Sequence, residues 1–205
     1  MFVIKPKPEK EILDILFSYK NLLYIICNGC NEVSLYLKDA LSLYKSLNKY
    51  YRVLIKIIDY LCNLDFADKY IVYLSKEIEN IDAIVIFSCG VGVATFASKL
   101  EKDIFIVCDT FYLTGYKGLN TPYEGKFDCT LCGSCYLNYT ASICPITSCL
   151  KSLLNGPCGG AKNGKCEVDK TKDCGWEKII LKLKKYNKLN QLKEKILIHK
   201  FNKLK

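Results

Sequence analysis

Along the first 110 residues the apolar positions switch regularly between two periods. Over 9–20, Ile12, Leu13, Ile15, Leu16 and Tyr19 recur at helical spacing, and Leu22, Leu23, Tyr24, Ile25 and Ile26 then run without a break. The same alternation repeats down the chain. Helical spacing returns over 35–48, 66–80 and 91–101, and short continuous apolar runs over 52–58, 83–87 and 104–107. Uninterrupted apolar strands separated by helices of about 10–15 residues predict a parallel sheet covered by helices on its faces. The expected fold class is therefore α/β, opening with a Rossmann-like, four-stranded parallel sheet over 1–114.

The pattern stops near Thr114. From 115 to 175 the apolar runs vanish, Gly, Asn, Thr and Ser become frequent, and eight of the thirteen cysteines fall between Cys129 and Cys174. Such a stretch buries too little apolar area to order itself, so disulfides or metal must hold it. It is expected to form a small, irregular, cysteine-rich metal-binding domain. Over 176–205, Ile179, Leu183, Tyr186, Leu189, Leu192, Ile196 and Leu197 recur among lysines and predict a basic, amphipathic C-terminal helix with a break near 187–190.

Half of the 205 residues are apolar, which excludes disorder as the main state. No run reaches the ~18 apolar residues of a membrane span, and the first ten residues lack the order of a signal peptide, so a soluble cytoplasmic protein with no membrane partner is expected. The net charge of +9 is local: 176–205 carries ten lysines against Glu177 and Glu194 and so accounts for +8 of it. A basic tail on a near-neutral body fits docking or solubilisation better than a surface shaped to grip phosphates, so nucleic acid is not an expected partner. His199 is the sole histidine and lies in that tail, which leaves acid–base chemistry without a partner elsewhere and the catalytic set empty.

The candidate chemistry is sulfur. Cys27 and Cys30 follow the first predicted parallel strand as CNGC, Cys62 follows the second and Cys89 the third. All four fall at carboxyl ends of parallel strands, where an open α/β sheet binds its ligands, so these thiols are expected to converge on one site. Farther on, Cys129, Cys132 and Cys135 form CxxCxxC, and Cys144 precedes Pro145, the order of bacterial ferredoxins except that eight residues, not three, separate the last two cysteines. That gap leaves the fourth ligand open between Cys144 and Cys149. Cys158, Cys166 and Cys174 complete a set of eight, enough for two four-thiolate sites. Thiolates select zinc or iron–sulfur clusters. An odd cysteine count and a Rossmann-like neighbour argue against disulfides. The triple CxxCxxC favours iron–sulfur, as two or three [4Fe-4S] clusters, with zinc the alternative at one site. Cys108, alone at the end of the fourth predicted parallel strand, reads as structural.

The block NGPCGGAKNGKCEVD over 155–169, followed by Asp173, Cys174 and Trp176, resembles the methylenetetrahydrofolate reductase C-terminal zinc/iron-sulfur family, whose stand-alone members are MetV-type small subunits of acetogen-type reductases. The similarity continues through CTLCGSCYLNYTASICPITSC over 129–149 and more loosely through CNGCNEV over 27–33 and SCGVGV over 88–93. The resemblance implies a non-catalytic subunit that relays electrons, from a donor such as ferredoxin, to a flavin-containing methylenetetrahydrofolate reductase large subunit in one-carbon metabolism. It also implies that all twelve cysteines other than Cys108 are metal ligands. The chain is too short to contain a flavin-bearing barrel of ~250 residues beside its own domain. The competing expectation is a structural zinc-binding interaction module, a nucleic-acid adaptor that uses the lysine tail.

Overall fold

A computed structural model describes residues 2–30, 33–112 and 129–198. The chain opens with a strand, β1 (Phe2–Pro6), then α1 (Glu9–Leu16), β2 (Asn21–Cys27), β3 (Val33–Ser34), α2 (Leu37–Leu47) and β4 (Arg52–Ile58). There follow α3 (Leu64–Tyr73), α4 (Ser75–Glu79), β5 (Ala83–Phe87), α5 (Gly90–Ala97), β6 (Asp103–Ile106) and β7 (Cys108–Tyr112). The expected four-stranded parallel sheet is present in the order β4-β2-β5-β6. The strands were readable because both faces are covered: Leu23, Ile25, Ile84 and Ile86 pack with α3, α4 and α5, while Leu22, Tyr24, Ile26, Val85 and Phe87 pack with α1 and α2.

The strand order carries a functional consequence. From β2 the chain moves outward to β4, then crosses to the other side of β2 to lay down β5 and β6. The direction of winding therefore reverses between β2 and β5. Helices leave opposite faces there, and a crevice opens at the carboxyl ends of those two strands.

Three local differences from the sequence expectation matter. A second sheet, β3-β1-β7, had no counterpart in the pattern; β1 runs antiparallel to β7, with Val3 opposite Phe111 and Pro6 opposite Cys108. The helix expected over 66–80 is two, because Leu74 leaves helical geometry at φ −97°, ψ 10° and is fully buried. The single helix expected through 176–205 is shorter: α7 (Gly175–Lys185) ends near Asn187, whose φ of 55° an asparagine tolerates, and α8 (Gln191–Glu194) is a single turn. Leu197 is then held by paired bonds to the Asn155 amide, at 2.7 and 2.9 Å. His199, Lys200, Lys203 and Lys205 lie outside the described residues, as does the predicted boundary at 114/115.

Three lysines of this segment pair with carboxylates of the chain's own body. Lys178 pairs with Asp173 at 2.7 Å, Lys188 with Asp103 at 2.6 Å, and Lys185 with Glu101. Among the described residues no helix is long and apolar enough to cross a membrane.

The cysteine-rich stretch is sewn to the sheet's edge. A 3-10 turn, Leu137–Tyr139, places Asn138 so that its amide accepts from Ile106 N at 2.7 Å and donates to Ile106 O at 2.9 Å, imitating a neighbouring strand beside β6. The short helix α6 (Pro145–Ser148) follows and packs near α7.

Candidate metal centres

Twelve of the thirteen cysteines line three separate cavities, four to each. No disulfide joins any described pair.

The first quartet, Cys27, Cys30, Cys62 and Cys89, lines a cavity of about 230 Å³ at the reversal point of the parallel sheet. Cys27 ends β2 opposite Ile58 in the register, and Asn28 N continues the ladder to Ile58 O at 2.7 Å before the chain turns away. Cys62 is set by the turn after β4, where Asn63 caps α3 through Oδ1 contacts to the Asp65 and Phe66 amides at 2.9 and 3.1 Å. Cys89 occupies the N-cap position of α5, and burial raises its thiol. Burial pushes the Cys27 thiol up to about 12 and Cys62 up to about 11, and the neighbouring cysteines add to both shifts.

The second quartet, Cys129, Cys132, Cys135 and Cys144, lines a cavity of about 30 Å³ with Gly90 and Thr110 on its wall. Strand β7 is its mount. Asp109 Oδ1 accepts from Cys135 N at 2.7 Å, Thr110 Oγ1 from Gly90 N at 3.0 Å, Thr110 O from Gly133 N at 2.9 Å, and Phe111 bridges to Cys132. Gly133 sits at φ 71° with the Phe111 ring 2.6 Å from where a Cβ would lie, so no other residue fits that turn. Burial pushes Cys129 up to about 12 and raises Cys132 and Cys135 as well. Protons held this firmly have to be displaced when a cation binds.

The third quartet, Cys149, Cys158, Cys166 and Cys174, lines a cavity of about 20 Å³ beside Trp176. Its frame is backbone pairing across tight turns: Cys166 N to Lys172 O at 2.9 Å and Cys174 N to Gly164 O at 2.7 Å. Trp176 is buried and donates Nε1–H to Leu153 O at 2.8 Å. Gly175 lets α7 close onto α6, since a Cβ there would lie 2.4 Å from Ser148 O. Cys158 is exposed at the protein surface.

Two features recur. The last cysteine of each quartet, Cys89, Cys144 or Cys174, stands immediately before a helix, with the positive helix end toward the thiols. The quartets also do not interleave along the chain. Of the two cysteines between which the eight-residue gap left the choice, Cys144 lines the second cavity and Cys149 the third, with α6 between them.

Adjacent sets nearly touch. Cys89 belongs to the first while Gly90 walls the second, with the Cys129 and Cys135 sulfurs 3.5 and 3.8 Å from the position a Gly90 Cβ would take. Cys108 lines none of the three cavities; it is fully buried in the core beside β1, and burial raises its thiol strongly. Among the described residues no group of three or more Cys, His, Asp or Glu is arranged to hold a single metal ion.

Residues 111–202 match the family described as methylene-tetrahydrofolate reductase C terminal. The match takes in the 155–174 block, in keeping with its resemblance to that family, and spans the stretch that carries the second and third quartets and their tail, while the first quartet lies upstream of it. No curated protein and no solved structure matches the chain.

Proposed function

We propose that the chain is the electron-relay subunit of a methylenetetrahydrofolate reductase, holding one iron–sulfur cluster in each quartet and passing electrons from a donor such as ferredoxin to a flavin-bearing partner. The observation that carries this reading is the partition of twelve cysteines into three sets of four, each around its own cavity. Four thiolates are the ligand complement of a [4Fe-4S] cluster, and the first quartet, around a cavity of about 230 Å³, encloses more space than a lone zinc ion fills. Bound clusters would supply the one-electron capacity that no side chain here offers.

The protein's part is to hold the sets in sequence. The Cys89–Gly90 peptide joins the first to the second, and α6 joins the second, at Cys144, to the third, at Cys149. On this reading the second is the middle of a three-step path, and the exposure of Cys158 supports docking of the partner beside the third set. The lysine tail supports this over a nucleic-acid adaptor, since Lys178, Lys185 and Lys188 are engaged with Asp173, Glu101 and Asp103.

Anaerobically purified protein should be brown, contain iron and sulfide in equal amounts, and bleach on reduction. Cys30→Ser, Cys132→Ser and Cys166→Ser should each remove about a third of the iron and leave the rest. Colourless protein holding only zinc overturns the reading, as does a single Cys→Ser change that empties all three sets.

A further inference from the structure

Strand β7 offers three consecutive residues to the second quartet, yet only one of them is charged. Asp109 is 5 % exposed, and the same Oδ1 that accepts from Cys135 N at 2.7 Å also accepts from Lys7 Nζ at 2.8 Å. Lys7 follows directly on β1, is 6 % exposed, and has its backbone anchored to Val107 O at 2.9 Å. Its second acceptor is Glu11, at 3.3 Å, which in turn accepts from Tyr139 at 3.2 Å.

A buried ion pair is weak evidence of a stabilising role, because two well-packed apolar side chains hold a fold as well or better. Its presence against a ligand of the middle centre calls for another explanation. A carboxylate clasping the Cys135 amide fixes that loop but brings a negative charge beside thiolates that are themselves negative. The ammonium of Lys7 offsets that charge at short range, in surroundings where screening is weak.

We propose that Lys7 and Asp109 are positioning residues for the second quartet, Asp109 fixing the Cys135 loop and Lys7 setting the local charge, and that together they set the reduction potential of that centre. The inference rests on the relay reading above. Adding an electron makes the centre more negative, so a nearby cation raises its potential and a nearby anion lowers it.

The test uses the full chain, purified without oxygen and titrated against mediators with electron paramagnetic resonance detection. The second centre's signal is identified as the one absent in Cys132→Ser. Lys7→Met should shift its midpoint downward. Asp109→Asn, which keeps an oxygen for the Cys135 amide, should shift it upward, and Glu11→Gln should shift it upward by less. Opposite signs are what a merely structural role does not produce.

Shifts of the same sign in Lys7→Met and Asp109→Asn, or none in either, overturn the proposal. Should Lys7→Met fail to fold, the other two variants decide, and a midpoint unchanged or lowered in both overturns it. A wild-type chain without any reducible signal dependent on Cys132 overturns the relay reading and this inference with it, whereas a signal indifferent to the charges overturns the inference alone.

Discussion

The parallel sheet and the third cysteine quartet are ordered by different means. The sheet buries Leu22 to Ile26 and Ala83 to Phe87 completely or nearly so between two layers of helices, and needs nothing else. The stretch from Cys149 to Cys174 contributes one buried apolar group of its own, Cys174, and packs on a cluster whose other buried members, Trp176, Ile179 and Leu183, belong to α7. Its turns are spent on thiols and backbone pairs. On the proposed reading, the chain carries one part ordered by its own apolar core and another whose order depends on what it binds.

The sharpest way to break this comparison is to take the metal away. Chelation of iron under reducing conditions should abolish amide protection across 149–174 while β2 and β5 keep theirs, as read by hydrogen exchange. Equal loss in both regions would mean that the halves fold as one unit and that the distinction drawn here is wrong.

This division also explains what was legible beforehand. Runs such as Ala83 to Phe87 name a buried strand outright, and the four parallel strands follow from them. The β1–β7 pairing was not legible because its strands are short and interrupted by polar residues, the exposed Lys5 and, beside the second quartet, the buried charge of Asp109. Cys129, Cys132 and Cys135 declared themselves by spacing, and Cys62 by its place after β4. The assignment of Cys144 and Cys149 to different cavities depends on α6, four residues whose effect appears only when Cys144 and Cys149 are seen at its two ends. The Lys7–Asp109 pair spans 102 positions and leaves no local pattern at all.

A smaller effect sharpens the comparison inside the third quartet. Trp176→Ala should destabilise the α7 unit by about 3–5 kcal/mol through the lost ring volume and the unpaired Leu153 carbonyl. Denaturant unfolding should then show the 149–185 region melting first, with iron release from one centre of the three. A loss shared evenly by all centres would argue against local order.

The smallest effect concerns pH. Asp173 lies between Lys165 at 2.6 Å and Lys178 at 2.7 Å, and hydrogen bonds from these two ammonium groups, with their charge, hold its carboxyl down to about 2. A carboxyl lowered in the folded state contributes its support in full above its ordinary value of about 4, and loses it as pH falls through about 2. Because the group is exposed, the contribution is modest and salt-sensitive. An NMR titration of Asp173 should show the low value in the intact protein and its return toward the ordinary range in Lys165→Ala/Lys178→Ala. An unchanged midpoint in that double variant would remove the effect.

The arrangement of the quartets as successive, non-overlapping stretches bears on how the protein is made. Cys89 emerges from the ribosome 40 residues ahead of Cys129, and Cys144 emerges ahead of Cys149. Each pocket has all four of its cysteines synthesised before the next begins to acquire its own, so on the proposed reading a nascent chain would be loaded vectorially, one cluster at a time.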